Sequence, residues 1–486
     1  MGVDVERVPG QQSCQETRIQ VHSPAPVSWD GDDDPEHPQN WKRSRKWAAI
    51  AIVSAFTLMS PVASSIIAPS LQAIGQDLDI ESESERSLCL SIFVLGFAFG
   101  PLVLGPLSEM YGRTIILQAS NVLFVIFNTA GGFSRTKTQL IVCRLFGGIG
   151  GSAPLALGPA ILVDLFAPEE RGLAAGVYSF MPIMGPAIGP ICGGFLTEYG
   201  SWRWGFWGVS IANAPILLLG VLLLQETYAP TLLKRRRELL EKECPGLSRN
   251  TEQRNFTTEI TSAMIRPLRM MTTQVIIIVM GVYQAYVYGL MYIVLTTFPT
   301  LWREQYHQKV SIAGLNYISL GLGYSLGILA SGRLQDLTYA ALKRRNGNIG
   351  LPEFRIPLLF PVSAVVLPLG FLLYGWAAER TFHWIVPNIG AFVFAAGIMT
   401  GFNALMTYVL DSYTTYAASA AAATAVLRSI AAFLLPLGAE SMYKTLGWGW
   451  GNTLLGGLAI GVGLPAAVCV WIWGSELRRR STFGQD

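Results

Sequence analysis

Charge is what this chain has least of. Of its 486 residues only 14% are Asp, Glu, Lys or Arg, while 51% are hydrophobic. Soluble globular domains run at about 25% charged, so the shortage excludes an ordinary soluble enzyme of two or three domains. A net charge of +3 gives nucleic acid no electrostatic footprint, and no nucleic-acid partner is expected. The four histidines, at 22, 37, 307 and 383, form no metal-ligand spacing and no Ser-His-Asp grouping at one depth. The six cysteines, at 14, 89, 143, 192, 244 and 469, contain no CxxC, and four lie in apolar stretches. They read as buried small hydrophobes rather than as a disulfide framework or a zinc site. No GxxxxGK[ST] occurs, so the chain carries no nucleotide site of that type. No enzyme activity, metal or cofactor is expected.

What remains is long apolar runs. A membrane helix needs about 20 mostly apolar residues. Ten charge-free windows qualify: 47–76, 87–108, 114–134, 172–197, 204–225, 270–302, 310–332, 356–378, 381–410 and 445–475. Two more, 138–163 and 412–439, are each interrupted by one arginine, Arg144 and Arg428. The 50 glycines and 13 tryptophans suit such helices. The expected fold is an all-α membrane protein of twelve spans. An even count puts both termini on one side. The terminal segments and the loops after even-numbered spans hold 25 of the 35 Lys and Arg, the other loops 8. By the positive-inside rule the termini face the cytoplasm.

The expected organisation is a disordered cytoplasmic tail (1–46), a six-helix bundle (47–225), a cytoplasmic central loop (226–272), a second six-helix bundle (273–474) and a cytoplasmic tail (475–486). The central stretch from Glu226 to Arg269 carries 15 charges in 44 residues, including Lys234-Arg235-Arg236-Arg237. The sequon-like Asn255-Phe256-Thr257 falls on this cytoplasmic loop and is assigned no glycan. The halves echo each other in register. Pro69-Ser70-Leu71 matches Pro299-Thr300-Leu301, Gly105 to Glu109 matches Gly332 to Asp336, and Trp202 to Gly205 matches Trp448 to Gly451. Duplicated bundles with a midplane site between them are a transporter architecture.

Four features carry chemistry. The loop after span 2, Gly105-Pro106-Leu107-Ser108-Glu109-Met110-Tyr111-Gly112-Arg113-Thr114, has two glycines for a tight turn. Glu109 and Arg113 stand four apart, within reach on a helix, and Asp164 at the end of span 4 can join them as an inner latch. The matching loop after span 8 has Asp336 without a clean partner and reads as a degenerate copy. Span 5 holds Gly176, Gly185-Pro186, Gly189-Pro190 and Gly193-Gly194. Prolines bend a helix and glycines at spacing four let a neighbour approach. Arg144, followed by Gly147, Gly148, Gly150 and Gly151, and Arg428 are costly at membrane depth. Either could sense a proton, bind an anion, or pair structurally with a backbone carbonyl.

On these motifs the chain resembles the major facilitator superfamily, and within it the twelve-helix drug:proton antiporters of fungi. Asp34-Pro35-Glu36-His37-Pro38-Gln39-Asn40-Trp41, Glu226-Thr227-Tyr228-Ala229-Pro230 and Val426-Leu427-Arg428-Ser429 agree. The likeness extends over about residues 34 to 474. Two departures stand out. Thr114 replaces the second basic residue of the family's span 2–3 loop, and no Asp or Glu falls in the middle of any span, which leaves the proton carrier unidentified.

The resemblance implies a secondary transporter, working by alternating access in a lipid bilayer. It would couple inward protons to efflux of amphipathic small organic molecules, either xenobiotics or self-made metabolites. The Gly-Pro run of span 5 marks exporters in that family. A plasma-membrane location and a monomer go with this reading. Spans 1, 4, 7 and 10 would line the cavity, with Tyr283, Gln284, Tyr288, Asn403 and Thr407 as contacts and Arg144 and Arg428 as coupling groups. Apolar walls with a few placed polar groups suit a drug-sized compound. The alternatives are a proton-coupled importer and a non-transporting receptor on the same scaffold.

Overall fold

A computed structural model describes residues 29–31, 34–167, 170–243, 256–413 and 416–481. The first 28 residues of the expected disordered tail lie outside the described residues, as do Asn255 and residues 482–486. In hydrocarbon a backbone has to satisfy its hydrogen bonds within its own segment, so the apolar runs are helices. Those before the central loop are α1 (Arg43–Ser65), α2 (Glu83–Tyr111), α3 (Arg113–Gly132), α4 (Lys137–Gly151), α5 (Ala153–Leu165), α6 (Arg171–Tyr199) and α7 (Arg203–Leu223). The central loop contributes α8 (Ala229–Glu243) and α9 (Phe256–Thr273). The remainder is α10 (Val275–Glu304), α11 (Val310–Leu315), α12 (Tyr317–Arg345), α13 (Leu367–Glu379), α14 (Ile385–Ser412), α15 (Ala417–Leu434), α16 (Ala439–Leu458) and α17 (Leu464–Arg479).

Among the described residues eleven helical runs are long and apolar enough to cross a bilayer. The last, Ser419–Arg479, is 61 residues long. A straight helix of that length would reach about 90 Å, some three hydrocarbon thicknesses. It is not straight. A 3-10 turn at Leu435–Gly438 ends α15, and Gly447 (φ +74°) leaves the helical conformation and kinks α16.

The tail expected to be disordered through residue 46 is structured from Asp34 on. Pro38–Asn40 form a 3-10 turn, Trp41 is buried, and the Arg45 guanidinium lies 3.6 Å above its ring. Asp34 accepts from the amides of Asp30 and Glu36 and from Arg236 of α8. Those backbone donors, with Arg236, hold its carboxyl down at about 2. The segment is therefore tied to α8.

The two halves meet along α2 with α15 and α6 with α12. Span 5 shows why. A Cβ on Gly185, Gly189 or Gly193 would lie 2.4, 2.2 or 1.8 Å from atoms of Pro61 and Ser65 on α1 or of Ile66, its C-cap. One on Gly194 would lie 2.9 Å from the Val310 carbonyl on α11. Real Cβ contacts do not come this close, so only glycine allows the packing. Gly176, on the same helix, faces open space. Gly189→Val should therefore force α6 off α1 and abolish transport, while Gly176→Ala leaves it near wild type. Efflux at matched expression checks both, and an active Gly189→Val would remove the packing argument.

Candidate functional site

Three polar centres stand out: one at the end of α2 that carries Gly112, one near the middle, and one at the opposite end, where α2 begins.

At the first, Gly112 adopts φ +105°, and α3 starts at Arg113. A helix N-terminus leaves backbone donors unpaired. Here buried Glu226 fills them. Its carboxylate accepts from the Arg113 amide at 2.9 Å and the Thr114 amide at 3.2 Å, and from the amides of Thr227 and Tyr228 at 3.1 and 2.9 Å. The positive helix end favours that anion. A Cβ on Gly112 would lie 2.3 Å from Glu226 Oε2. The Arg113 guanidinium donates to Ser108 Oγ at 2.8 Å, lies 3.5 Å from Asp164 Oδ2 and sits 4.6 Å above the Tyr228 ring. Glu109 is half exposed and 3.9 Å away, so Asp164 is the closer carboxylate. Gly105 has open space around it. Thr114, in place of the second basic residue, donates to the Gln225 carbonyl at 2.9 Å. Glu226 was visible in sequence only as the head of the Glu226-to-Pro230 run, with no role attached.

The matching loop is not degenerate. Arg355 donates to Asp336 at 3.0 Å and to Asp411 at 3.1 Å, and stacks 4.5 Å from the Tyr339 ring. Its cation comes from the segment before α13 rather than from the loop itself, so the spacing could not show it.

At the middle, Arg144 is 2% exposed. Nε donates to Cys89 O at 3.2 Å, Nη1 to Ala63 O at 2.6 Å, and Nη2 to Ser64 O at 2.9 Å and Leu90 O at 3.3 Å. It stacks 4.4 Å from the Phe93 ring. The structural alternative thus describes its contacts: it staples α4 to α1 and α2. Ser64 Oγ is 3.2 Å from Tyr292 Oη, across the two halves. Tyr292 leans on Tyr288 at 5.4 Å between centroids, and Arg428 lies 5.4 Å from Tyr288 and 5.2 Å from Phe402. Spans 1, 4, 7, 10 and 11 thus converge. Gln284, one helical turn before Tyr288, is buried with Nε2 unpaired. The other cavity candidates point elsewhere. Tyr283 is 2.5 Å from Ser363 Oγ. Asn403 donates to Ser331 at 2.9 Å, and Thr407 accepts from Gln335 at 3.0 Å, which ties α14 to α12.

At the opposite end, contacts cross between halves. Lys444 pairs with Glu83, Arg86 lies 4.0 Å from Glu440, and Ser84 donates to Leu437 O at 2.9 Å. A cavity of about 310 Å³ opens among Glu83, Arg86, Arg303, Glu379, Glu440 and Lys444. Here the Gly112 arrangement recurs. Glu379 Oε2 accepts from the amides of Trp448 at 2.7 Å and Gly449 at 3.2 Å, just after Gly447 with its positive φ. Among the described residues no group of three His, Cys, Asp or Glu could hold a metal ion.

Residues 53–436 match the profile of the Major Facilitator Superfamily. The efflux pump vrtL of Penicillium aethiopicum is 44% identical, over 94% of this chain and 91% of its own. An uncharacterized transporter of Schizosaccharomyces pombe is 42% identical over 99% and 98%. Among solved structures, the xylose transporter XylE of E. coli superposes with TM-score 0.66 at 18% identity, over 88% of this chain and 98% of its own. That likeness carries the fold alone. Two duplicated bundles, the glycine-bounded helix start at Arg113 and a profile match over most of the length agree: the chain belongs to the major facilitator superfamily and is a transporter, not an enzyme.

Proposed function

We propose that this protein exports amphipathic small organic molecules, driven by protons moving inward. The observation that carries the direction is the Gly-Pro run of α6, whose glycines seat against α1 with no room for a side chain. The 44% identical relative is named an efflux pump, which supports the same direction. In this reading the 61-residue run is two spans joined at the Gly447 kink, giving twelve crossings. The Gly112 end and both termini face the cytoplasm, in keeping with the Lys and Arg distribution. Contacts at the Gly447 end close the outer side. The setting is the plasma membrane and the working unit a monomer.

Arg113 with Asp164, and Arg355 with Asp336 and Asp411, serve as inner-side ties. The driving force suffices, since each proton contributes about 2.3 kcal/mol per 100 mV of membrane potential. Vesicles or cells holding the protein should lose a preloaded amphipathic dye, and a protonophore should stop the loss. Efflux that continues with no proton or potential gradient would overturn antiport. Gradient-driven uptake would establish the importer instead.

A further inference from the structure

The two arginines at membrane depth differ in how their charge is used. Arg144 spends its donors on four backbone carbonyls and is buried. Arg428 makes no hydrogen bond and no ion pair among the described residues. Its Nε is shut off from solvent without a partner, yet the residue as a whole is only partly buried. The guanidinium lies against two aromatic faces, Tyr288 and Phe402, whose rings are 6.2 Å apart and tilted by 34°. Both rings are themselves partly exposed. Gln284, with an unpaired Nε2, sits one turn along α10 on the Tyr288 side. The sequence supplies no Asp or Glu to the middle of any span.

This is a cation with its donors free, walled by apolar rings, where the described residues provide no counter-charge. Ring faces offset part of the cost of such a charge, but they accept none of its in-plane N–H groups. A carboxylate matches that fork with two parallel hydrogen bonds. A cationic compound would meet like charge at the same place, which is unfavourable.

We propose that Arg428 binds an acidic group on the transported compound, so that the substrate class is an amphipathic organic acid whose apolar body lies along Tyr288 and Phe402. This rests on reading the chain as a transporter of small organic molecules.

The test uses the purified full-length protein in discs of neutral phosphatidylcholine, with three fluorescent probes: pyrenebutyric acid, its methyl ester, and the corresponding amine. The acid should bind at least about tenfold more tightly than the ester, as charge-assisted hydrogen bonds imply. The amine should bind weakest. Arg428→Gln should erase the difference between acid and ester, and Arg428→Lys should keep part of it. Equal binding of acid and ester by the wild type, or a preference that survives Arg428→Gln, would overturn the proposal. So would loss of acid binding when phosphatidylglycerol enters the disc, which would assign the site to a lipid headgroup. Vesicle efflux separates the two levels. Gradient-driven movement of ester or amine but not acid leaves the exporter standing and removes the acid class; movement of none of the three removes both.

Discussion

Arg144→Ala should abolish transport while leaving the protein at least as easy to insert. Insertion scales put a central arginine at about 2.5–3.5 kcal/mol unfavourable, so removing it lightens that step. The folded state loses its staple. The carbonyls of Ala63 and Ser64, at the C-terminal end of α1, lose their side-chain donor inside a packed junction, while those of Cys89 and Leu90, inside α2, keep their helix amides. At about 1–3 kcal/mol for each of the two helix-end carbonyls, the loss is roughly 2–6 kcal/mol, at least about thirtyfold in the population of the stapled arrangement. Ser64 also carries the contact to Tyr292, so the disturbance reaches the interface between the halves. Arg144→Lys keeps the charge and three donors on one nitrogen but loses the planar five-donor fork, so it reaches fewer of the four carbonyls. It should retain about a tenth of the rate or less. Proton-driven efflux in reconstituted vesicles, with expression matched and melting followed in parallel, reads both variants. Wild-type turnover in Arg144→Ala would show that the staple is dispensable.

Gly112→Val should be the other severe variant, and its cause is separable. Two strains add: a β-branched residue at φ +105°, and a Cβ 2.3 Å from Glu226 Oε2. At φ +105° and ψ 150° the backbone lies in a region that is essentially glycine's alone, and a side chain there costs about 1–3 kcal/mol before any clash. The collision is with a buried carboxylate fixed by four amides, which has nowhere to swing. Glu226→Ala removes the obstacle but also the acceptor, leaving the start of α3 uncapped at about 1 kcal/mol or more. The pair Gly112→Ala with Glu226→Ala should therefore be worse than Glu226→Ala alone by the backbone strain only, since the clash is gone in the background that lacks it. Fully additive losses in melting temperature would mean that Gly112 is needed for another reason. Arg113→Ala, by contrast, should slow turnover far more than it weakens substrate binding, because its partners Ser108 and Asp164 tie one end of the bundle and touch no cavity group.

Much of the framework was legible because it asks for nothing beyond local composition. A window without charge becomes a membrane helix whatever it packs against, and Glu109 and Arg113 stand four apart in one loop. Contacts that depend on distant chain were not. Glu226 stands 113 residues from Arg113 and Arg355 lies 56 from Asp411, so no spacing joins them. Asn403 and Thr407 look like cavity groups in a helical pattern, but the neighbouring helix supplied Ser331 and Gln335 to hold them. Arg144 could be flagged as expensive; which acceptors meet it depends on how α1 and α2 cross.

Each capped glycine is closed by a carboxylate from its own half: Gly112 by Glu226, Gly447 by Glu379. Neither cap reaches across to the other bundle. Cutting the chain anywhere between Glu243 and Phe256 would leave both carboxylates joined to the glycines they serve. Two halves made as separate polypeptides would thus each arrive with their own helix ends finished. The peptide between them would supply local concentration rather than fold. The reach and stiffness of that connection then become adjustable parts, open to lengthening or replacement without redesigning either bundle.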